Sequence, residues 1–142
     1  MGNRLWRGAF VAPVPGGPTS AFGRVSVVNG ERRSAHTGID LQARDGTPVR
    51  APNAGRVVLS ASLYYAGDTI IVDHGLGVFS LLAHLSERRK AEGDRVEAGD
   101  IAGLSGSTGR ITGPHLHWGV RIAGAVVDPM SLLVVTEQLR EP

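Results

Sequence analysis

The stretch 112–120, Thr-Gly-Pro-His-Leu-His-Trp-Gly-Val, decides how the rest of the chain is interpreted. In a β-strand successive side chains alternate between the two faces, so His115 and His117 share one face while Leu116 and Trp118 take the other. At about 3.3 Å of rise per residue, the Cα atoms of the two histidines lie about 6–7 Å apart, close enough to serve one metal ion or one bound water. The alternative is an exposed strand with two incidental histidines, and this stretch alone does not separate the two interpretations.

The segments around this stretch predict an antiparallel all-β domain. The sequence has 142 residues with 20 glycines and 8 prolines, and few segments show a helical period. Short β-branched runs bounded by Gly, Asp, Asn or Pro recur instead, as they do in antiparallel sheets. Only Ser131–Leu139, after a break at Asp128-Pro129, is predicted to form a short helix. The predicted strands are Arg24–Val28, Arg56–Leu59, Thr69–Val72, Val78–His84, His115–Ile122 and Ala125–Val127.

Glycines mark the predicted connections. Asp73–Gly77 is predicted to turn one hairpin and Ala123-Gly124 another. His74 lies in the first turn and is interpreted as structural or solvated. The glycine-rich stretch 103–109 lacks the Gly-Lys-Ser/Thr ending of a phosphate-binding loop, so it is predicted to be the loop that turns the following strand into the cleft.

Composition excludes several classes of function. Cysteine is absent, which excludes disulfides, thiolate metal sites and cysteine nucleophiles. The net charge is +2 and the arginines are scattered, so no basic block indicates a nucleic acid partner. No apolar run reaches the ~18–20 residues that span a membrane, and the N-terminus lacks the apolar core and cleavage site of a signal peptide. The length is most simply that of one domain.

A weak internal repeat relates two parts of the chain. Residues 46–57 and 93–103 share the form Gly-x-x-Val-x-Ala, followed by a glycine and an apolar strand. This form resembles the half-barrel turns of biotinyl and lipoyl carrier domains, where a swinging lysine sits at a hairpin tip. The only lysine, Lys90, follows Glu-Arg-Arg and lacks the flanks of such a tip. The repeat therefore favours a related sandwich fold without the carrier function.

Three further residues add metal-ligating and proton-transferring groups. His36 and Asp40, separated by three residues that include a glycine, can converge from a tight turn, and both types of side chain bind zinc at about 2.0–2.2 Å. His84 ends a predicted strand and opens onto a predicted loop. With the two histidines of stretch 112–120, the set exceeds the three protein ligands of a catalytic zinc and leaves imidazoles for proton transfer. A His-Glu-x-x-His helix is absent, so a thermolysin-type site is excluded. Which histidines bind metal stays open at this point.

The order of these motifs resembles that of the lysostaphin-like (LytM-type) zinc metallopeptidases. His36-Thr-Gly-Ile-Asp40, Ala83-His84-Leu85 and His115-Leu116-His117 follow one another as in that family, and the ordered set is far more specific than any single motif. The resemblance covers about residues 18–133. It implies an all-β antiparallel sandwich or half-barrel of the duplicated hybrid motif type, with at most a short C-terminal helix. We expect a single peptidase domain over residues 1–142.

The resemblance also implies how the residues of the site divide their roles. His36, Asp40 and His117 match the three protein ligands of one zinc ion per chain. His115 and His84 match the two histidines that do not bind metal and flank the catalytic water. We expect His115 to be the general base and His84 to stabilise the transition state, with an exchange of the two roles as the alternative. Zinc held by three protein ligands keeps an open position, where water has a pKa of about 7.

The reaction implied is zinc-dependent hydrolysis of peptide cross-links in bacterial peptidoglycan, outside the cytoplasm. The partners expected are stem and cross-link peptides, with no nucleic acid and no transmembrane segment. Similarity to Gram-negative-type members favours D-Ala to diaminopimelate cross-links over glycine bridges. Two alternatives belong to other classes: an inactive relative that binds the cell wall or activates an amidase, and a phosphotransfer protein of similar fold that uses paired histidines.

Overall fold

Antiparallel strands carry just over half of the residues that the structure, a computed structural model, describes. These residues are 4–19, 25–28, 31–35, 38–64, 66–108 and 115–137. Within them the elements follow in the order β1 (Val25–Val28), β2 (Glu31–Ala35), β3 (Ile39–Gln42), β4 (Pro48–Arg50), β5 (Gly55–Leu63), β6 (Gly67–Gly75), β7 (Val78–Arg88), β8 (Arg95–Val96), β9 (Ile101–Ser105), β10 (His115–Ile122), β11 (Ala125–Val127) and α1 (Pro129–Thr136).

Strand β10 lies inside the main sheet, with partners on both edges. It pairs with β7 on one side and with β3 and β11 on the other, and β7 continues through β6 and β5 to β8. Strands β1 and β2 form a separate hairpin. Every pairing is antiparallel. The predicted all-β antiparallel fold with one short C-terminal helix is confirmed.

Two-residue turns close the two predicted hairpins. Leu76 and Gly77 have φ of 52° and 80°, and Ala123 and Gly124 have φ of 52° and 84°. Left-handed backbone at both central residues matches the right-handed twist of the flanking strands. The predicted hairpins are therefore confirmed, although the first turn is shorter than expected: β6 runs through Gly75, which places His74 inside a strand.

The internal repeat corresponds to a reciprocal exchange of strands. Residues 46–57 contain β4 and the start of β5, and residues 93–103 contain β8 and the start of β9. Strand β4 pairs with β9, and β8 pairs with β5, so each short strand completes the sheet of the other repeat. Equivalent backbone bonds join the two repeats, from Ser105 N to Thr47 O and from Val57 N to Asp94 O, both 2.8 Å.

The predicted boundaries of the glycine-rich stretch and of the helix are wrong. Residues 103–105 belong to β9 and not to a loop, because they pair with β4 and β7. The helix begins at Pro129, earlier than predicted, since the Asp128 carboxylate accepts a hydrogen bond from Met130 N and caps the first turn. Proline is compatible with the first helical position, because an N–H at this position has no hydrogen-bond partner within the helix. The predicted end at Leu139 lies outside the described residues. Among the residues described, no helix is both long and apolar enough to cross a membrane.

The main core lies on one side of β10. Leu116 and Trp118 are fully buried in it, together with Ile39 and Leu41 from the neighbouring strand β3. Burial of each large apolar side chain contributes about 1.5–3 kcal/mol. His115 and His117, on the opposite face, stay partly exposed. The predicted division of β10 into a core face and a histidine face is confirmed.

The core should respond to the loss of a single side chain in β6. We expect Val72→Ala to lower the free energy of unfolding by about 2–3 kcal/mol, because Val72 is fully buried and the surrounding sheet cannot close the cavity. Val134→Ala is the matched control, since Val134 is 75% exposed on α1 and should change stability by less than about 0.5 kcal/mol. Urea unfolding of both variants measures this, and equal losses would contradict the placement of the core.

His74 is a structural residue with both ring nitrogens satisfied. It is fully buried, and its Nδ1 lies 2.9 Å from the carbonyl oxygen of Ala54 and its Nε2 2.9 Å from the hydroxyl of Ser80. A carbonyl oxygen only accepts, so Nδ1 donates and Nε2 accepts from the serine. Burial lowers the pKa of His74 below its usual 6.5 by desolvation, which outweighs the opposing effects of the Ala54 bond and the Asp73 charge. Of the two predicted alternatives, the structural one is confirmed.

This buried imidazole should make the fold sensitive to acid. Below pH 6.5 the unfolded chain takes up a proton at His74 that the folded chain resists, so stability falls as the pH drops towards the lowered native pKa. We expect His74→Asn, which retains a donor near Nδ1, to be less stable than the original chain at pH 7.5. Its deficit should shrink by pH 5, in urea unfolding at both values. A deficit that stays constant would contradict this prediction.

Candidate functional site

The open face of β10 brings a carboxylate between two imidazoles. His117 lies opposite Asp40 of β3 on one edge of the strand and opposite Ala83 of β7 on the other. Its Nδ1 donates a hydrogen bond to Asp40 Oδ1 at 2.9 Å, and the Nε2 of His115 lies 3.4 Å from the same oxygen. Because β10 alternates its faces, both imidazoles project from the face that Leu116 and Trp118 leave open.

His84 reaches this group through an irregularity in β7. Leu82 pairs with Ile70 and Leu85 pairs with Asp68, so β7 has one residue more than β6 between these pairs and bulges there. His84 has a φ of 62°, which is uncommon for a residue other than glycine. The sequence prediction that His84 ends its strand is wrong: the strand continues to Arg88, and the bulge re-aims the side chain. Backbone strain of this kind is concentrated at functional sites.

The bulge sets the imidazole of His84 beside those of β10. The ring centroids of His84 and His115 lie 5.2 Å apart, and those of His84 and His117 lie 6.1 Å apart. The ring is held by a hydrogen bond from its Nδ1 to the carbonyl oxygen of Thr108 at 2.7 Å. Since Nδ1 carries the proton, the neutral ring keeps its lone pair on Nε2. Nε2 is thus the atom of His84 that can accept a proton.

Burial lowers the pKa of His84. Desolvation is the largest cause, and the positive charges that His115 and His117 acquire when protonated act in the same direction. The hydrogen bond to Thr108 and the charge of Asp40 oppose the shift. The neutral form of His84 is therefore favoured at pH 7.

Thr108 is a residue of the site that the sequence did not reveal. Its hydroxyl donates to the carbonyl oxygen of Leu85 and accepts from the backbone N–H of Asp68, joining β6 and β7 across the bulge. Gly67 leaves room for this contact, because a Cβ there would lie 2.4 Å from the Thr108 carbonyl carbon. The only signal in the sequence was a polar Ser-Thr pair inside the glycine-rich stretch 103–109.

The described part of the site fits a metal ion in its donor chemistry. Asp40 and His117, two of the three predicted ligands, offer a carboxylate oxygen and an imidazole nitrogen, both of which zinc prefers. These atoms are 2.9 Å apart, and ligand atoms of a tetrahedral zinc are separated by about 3.3 Å. The third predicted ligand, His36, lies outside the described residues. Those residues alone contain no group of three or more metal-ligating side chains arranged to hold an ion.

Comparison with known proteins shows the family. Residues 34–129, about two thirds of the chain, match peptidase family M23. The chain belongs to this family. The M23 domain is 44% identical over 106 residues to the DD-carboxypeptidase/endopeptidase Mpg of Neisseria meningitidis serogroup B, an alignment that covers 75% of this chain and 24% of that protein. The chain therefore spans about a quarter of the length of this curated relative.

Solved structures share the fold of the M23 domain. A zinc-containing peptidase from Vibrio cholerae superposes with a TM-score of 0.80 and 31% identity, covering 86% of this chain and 39% of that one. The catalytic domain of lysostaphin from Staphylococcus simulans superposes with a TM-score of 0.74 and 32% identity, covering 84% of this chain and 92% of that one. The predicted resemblance to lysostaphin-like, LytM-type peptidases is confirmed.

The structure brings four of the five predicted site residues together. Asp40, His84, His115 and His117 come from three strands and meet on one face of the sheet. Their division into ligands and proton-transferring groups stays a prediction, as does the part assigned to His36.

The hydroxyl of Thr108 should stabilise the bulge and the position of His84. We expect Thr108→Val to cost about 1–3 kcal/mol of unfolding free energy, because it leaves the Asp68 N–H and Leu85 carbonyl without this partner. It should also shift the imidazole nitrogen resonances of His84 in NMR spectra.

Two variants serve as controls for Thr108→Val. Thr108→Ser keeps the hydroxyl and should behave like the original chain. Thr47→Val removes an exposed hydroxyl bound to the Arg44 carbonyl at 2.8 Å, so it should cost less. If Thr108→Val matched Thr47→Val in stability and left the resonances of His84 unchanged, the hydroxyl of Thr108 would have no role at the bulge.

Proposed function

We propose that this M23 domain is a zinc-dependent endopeptidase that hydrolyses peptide cross-links of bacterial peptidoglycan. The observation that carries the proposal is the Asp40 carboxylate between the imidazoles of His115 and His117, with His84 beside them, in a chain of a peptidase family. Relatives named DD-carboxypeptidase/endopeptidase and peptidoglycan DD-endopeptidase support the substrate class. Such a substrate places the enzyme outside the cytoplasm.

Asp40 and His117, with His36 as the third ligand, would hold one zinc ion per chain. When bound, zinc polarises a substrate carbonyl and lowers the pKa of water, which supplies a nucleophile at neutral pH. The Asp40–His117 contact supports the assignment, because the carboxylate and the imidazole nitrogen already converge. The register of β3 against β10 sets this convergence, so the fold provides it without a special loop.

The two remaining histidines transfer protons in this proposal. His115 would accept a proton from the attacking water, and its Nε2 lies 3.4 Å from Asp40 Oδ1, beside the proposed metal ligands. His84 lies across the site with its Nδ1 proton held by Thr108, so it acts through Nε2 and stabilises the developing charge once protonated. The lone pair on Nε2 of the neutral ring equally supports the exchanged roles, with His84 as base.

The sheet face next to the histidines fits an extended peptide. Gly119 lies two residues beyond His117 on β10 and opposite Leu81 of β7. Leu81 in turn lies opposite Ile71 of β6, so the three residues form one cross-strand row. They line an apolar groove with a cavity of about 470 Å³, and Gly119 adds no side chain to its floor. Small apolar side chains such as the methyl groups of alanine suit this groove. Together with the DD-endopeptidase relatives, it favours the D-Ala to diaminopimelate cross-link over a glycine bridge.

Hydrolysis of purified cross-linked muropeptides tests this function. We expect cleavage of the cross-link by the zinc-loaded protein, loss of activity with a chelator and recovery on adding zinc. Mass spectrometry of the products identifies the bond. A folded sample that holds the metal and cleaves neither type of cross-link would refute the proposal in favour of the inactive alternative, which the endopeptidase relatives do not support.

Substitutions should separate ligands from proton-transferring residues. His36→Ala, Asp40→Ala and His117→Ala should each lower the zinc content, because each removes one of three ligands. His115→Ala should keep the metal and lose about 10²–10⁴-fold in kcat, the usual scale of general acid–base catalysis. Zinc analysis and muropeptide kinetics on the same samples measure both effects.

Glu92→Ala is the control for these variants, since Glu92 is an exposed carboxylate on the loop between β7 and β8. It should change neither zinc content nor rate. Full activity in His115→Ala would exclude His115 as the base and transfer that role to His84.

A further inference from the structure

Four arginines line a second cavity, at the end of the sheet away from the histidine site that Asp40, His84, His115 and His117 form. The cavity has a volume of about 220 Å³, and Glu97 is the one acidic residue among those that line it. Two of its arginines come from the N-terminal segment and two from paired strands. We call it the arginine cavity; its basic residues are Arg4, Arg7, Arg56 and Arg95.

Two of these arginines form an unfavourable cross-strand pair. Arg56 of β5 lies directly opposite Arg95 of β8, and both are exposed. Like charges in this position destabilise a sheet. Asp73 lies opposite Arg56 on the other edge, but its Oδ1 accepts a hydrogen bond from Gly75 N at 2.8 Å. Across the described ranges, no ion pair joins any arginine of the cavity to a carboxylate.

The other two arginines are brought to the cavity by an anchored segment. The backbone N–H groups of Leu5 and Trp6 donate to the carbonyl oxygen of His74 at 2.8 and 3.0 Å. The N–H of Arg7 donates to the side chain of buried Asn53 at 2.9 Å, and the guanidinium of Arg4 lies 4.7 Å from the ring centre of Trp6. The fold thus adds two positive charges to a place that already holds a repulsive pair.

This cavity is separate from the histidine site. Strand β6 passes both, with Asp73 beside the arginine cavity and Asp68 beside the bulge of β7. These positions are five residues apart along the strand, or about 17 Å. The reaction proposed above uses none of the four arginines, so their arrangement has a different cause.

We propose that the arginine cavity binds an oxyanion of the phosphate class that carries at least two negative charges. Guanidinium groups present paired N–H donors that match phosphate oxygens, and such charge-assisted bonds are about twice as strong as neutral ones. Four arginines line the cavity with one carboxylate, that of Glu97, and Asp73 lies opposite Arg56, so one monocarboxylate leaves positive charge uncompensated. A phosphate monoester or a pyrophosphate neutralises more of it. Natural proteins are expected to break local rules, such as the avoidance of like charges on paired strands, at functional sites.

Calorimetric titration with inorganic pyrophosphate, at constant ionic strength, tests the proposal. We expect one saturable site per chain, and binding at least about 10-fold weaker in Arg56→Gln/Arg95→Gln. The matched control is Arg44→Gln/Lys90→Gln, which removes the same charge from positions outside the cavity and should keep the affinity within about twofold. Equal losses in both double variants, or no saturable binding, would overturn the proposal.

Thermal unfolding without any added phosphate separates binding from a structural role. Arg56→Gln/Arg95→Gln should unfold at the same temperature as the original chain or higher, because it removes a repulsive pair. Its unfolding temperature should no longer rise on adding pyrophosphate. A lower unfolding temperature in the phosphate-free variant would show that the arginines stabilise the fold, and would overturn the proposal.

Two further arms define the ligand. Vesicles that contain phosphatidic acid distinguish a lipid phosphate from a soluble one, and binding in either arm supports the proposal only if it depends on Arg56 and Arg95. Succinate has two carboxylates and no phosphate, so succinate that binds as tightly as pyrophosphate would contradict the phosphate class. These measurements need no peptidase activity, so failure here leaves the proposed hydrolysis untouched.

Discussion

The register of β10 between β3 and β7 is the constraint on which the histidine site depends. It places His117 opposite Asp40 and beside the strand that carries His84. A slip by one residue would move every side chain of β10 to the other face, exposing Trp118 and burying the two histidines. Burial of the apolar face therefore fixes the positions of the polar groups. The eight residues of β10 therefore contribute both to the packing of the core and to the geometry of the site.

The site combines this regular geometry with one irregular feature. Asp40 and His117 meet because they are cross-strand neighbours, which requires nothing beyond correct pairing. His84 needs a bulge, a left-handed backbone and a hydrogen bond to Thr108 to reach the same place. The pairing of β6 with β7 on both sides of the bulge holds this strained residue. The irregularity holds the imidazole of His84 in a fixed position beside the other groups of the site.

Strands that local sequence patterns indicate were predictable. Strands and bulges that form only by pairing with a distant segment were not. The bounds of β10 and β11 were predicted correctly because Gly-Pro, Ala-Gly and Asp-Pro pairs bound the two runs. Strands β4 and β8, with three and two residues, are too short to show a period and exist only because longer strands pair with them. The bulge at His84 arises because β7 has one residue more than β6 between two of their pairs, so no local sequence pattern indicates it. Four members of the site were identified through the ordered motifs, while Thr108 was missed because its role lies in its backbone and hydroxyl contacts.

The reciprocal pairing of β4 with β9 and of β5 with β8 also shapes how the chain acquires its structure. Neither repeat can complete its part of the sheet alone, because each takes its closing strand from the other. A growing chain must extend beyond Ser105 before β4 finds its partner, and about fifty residues separate the paired strands. Contacts between segments so distant in sequence slow folding, because the entropy of loop closure is lost before the contacts form. The weak repeat in the sequence thus marks the short strands through which each part of the sheet depends on the other for its completion.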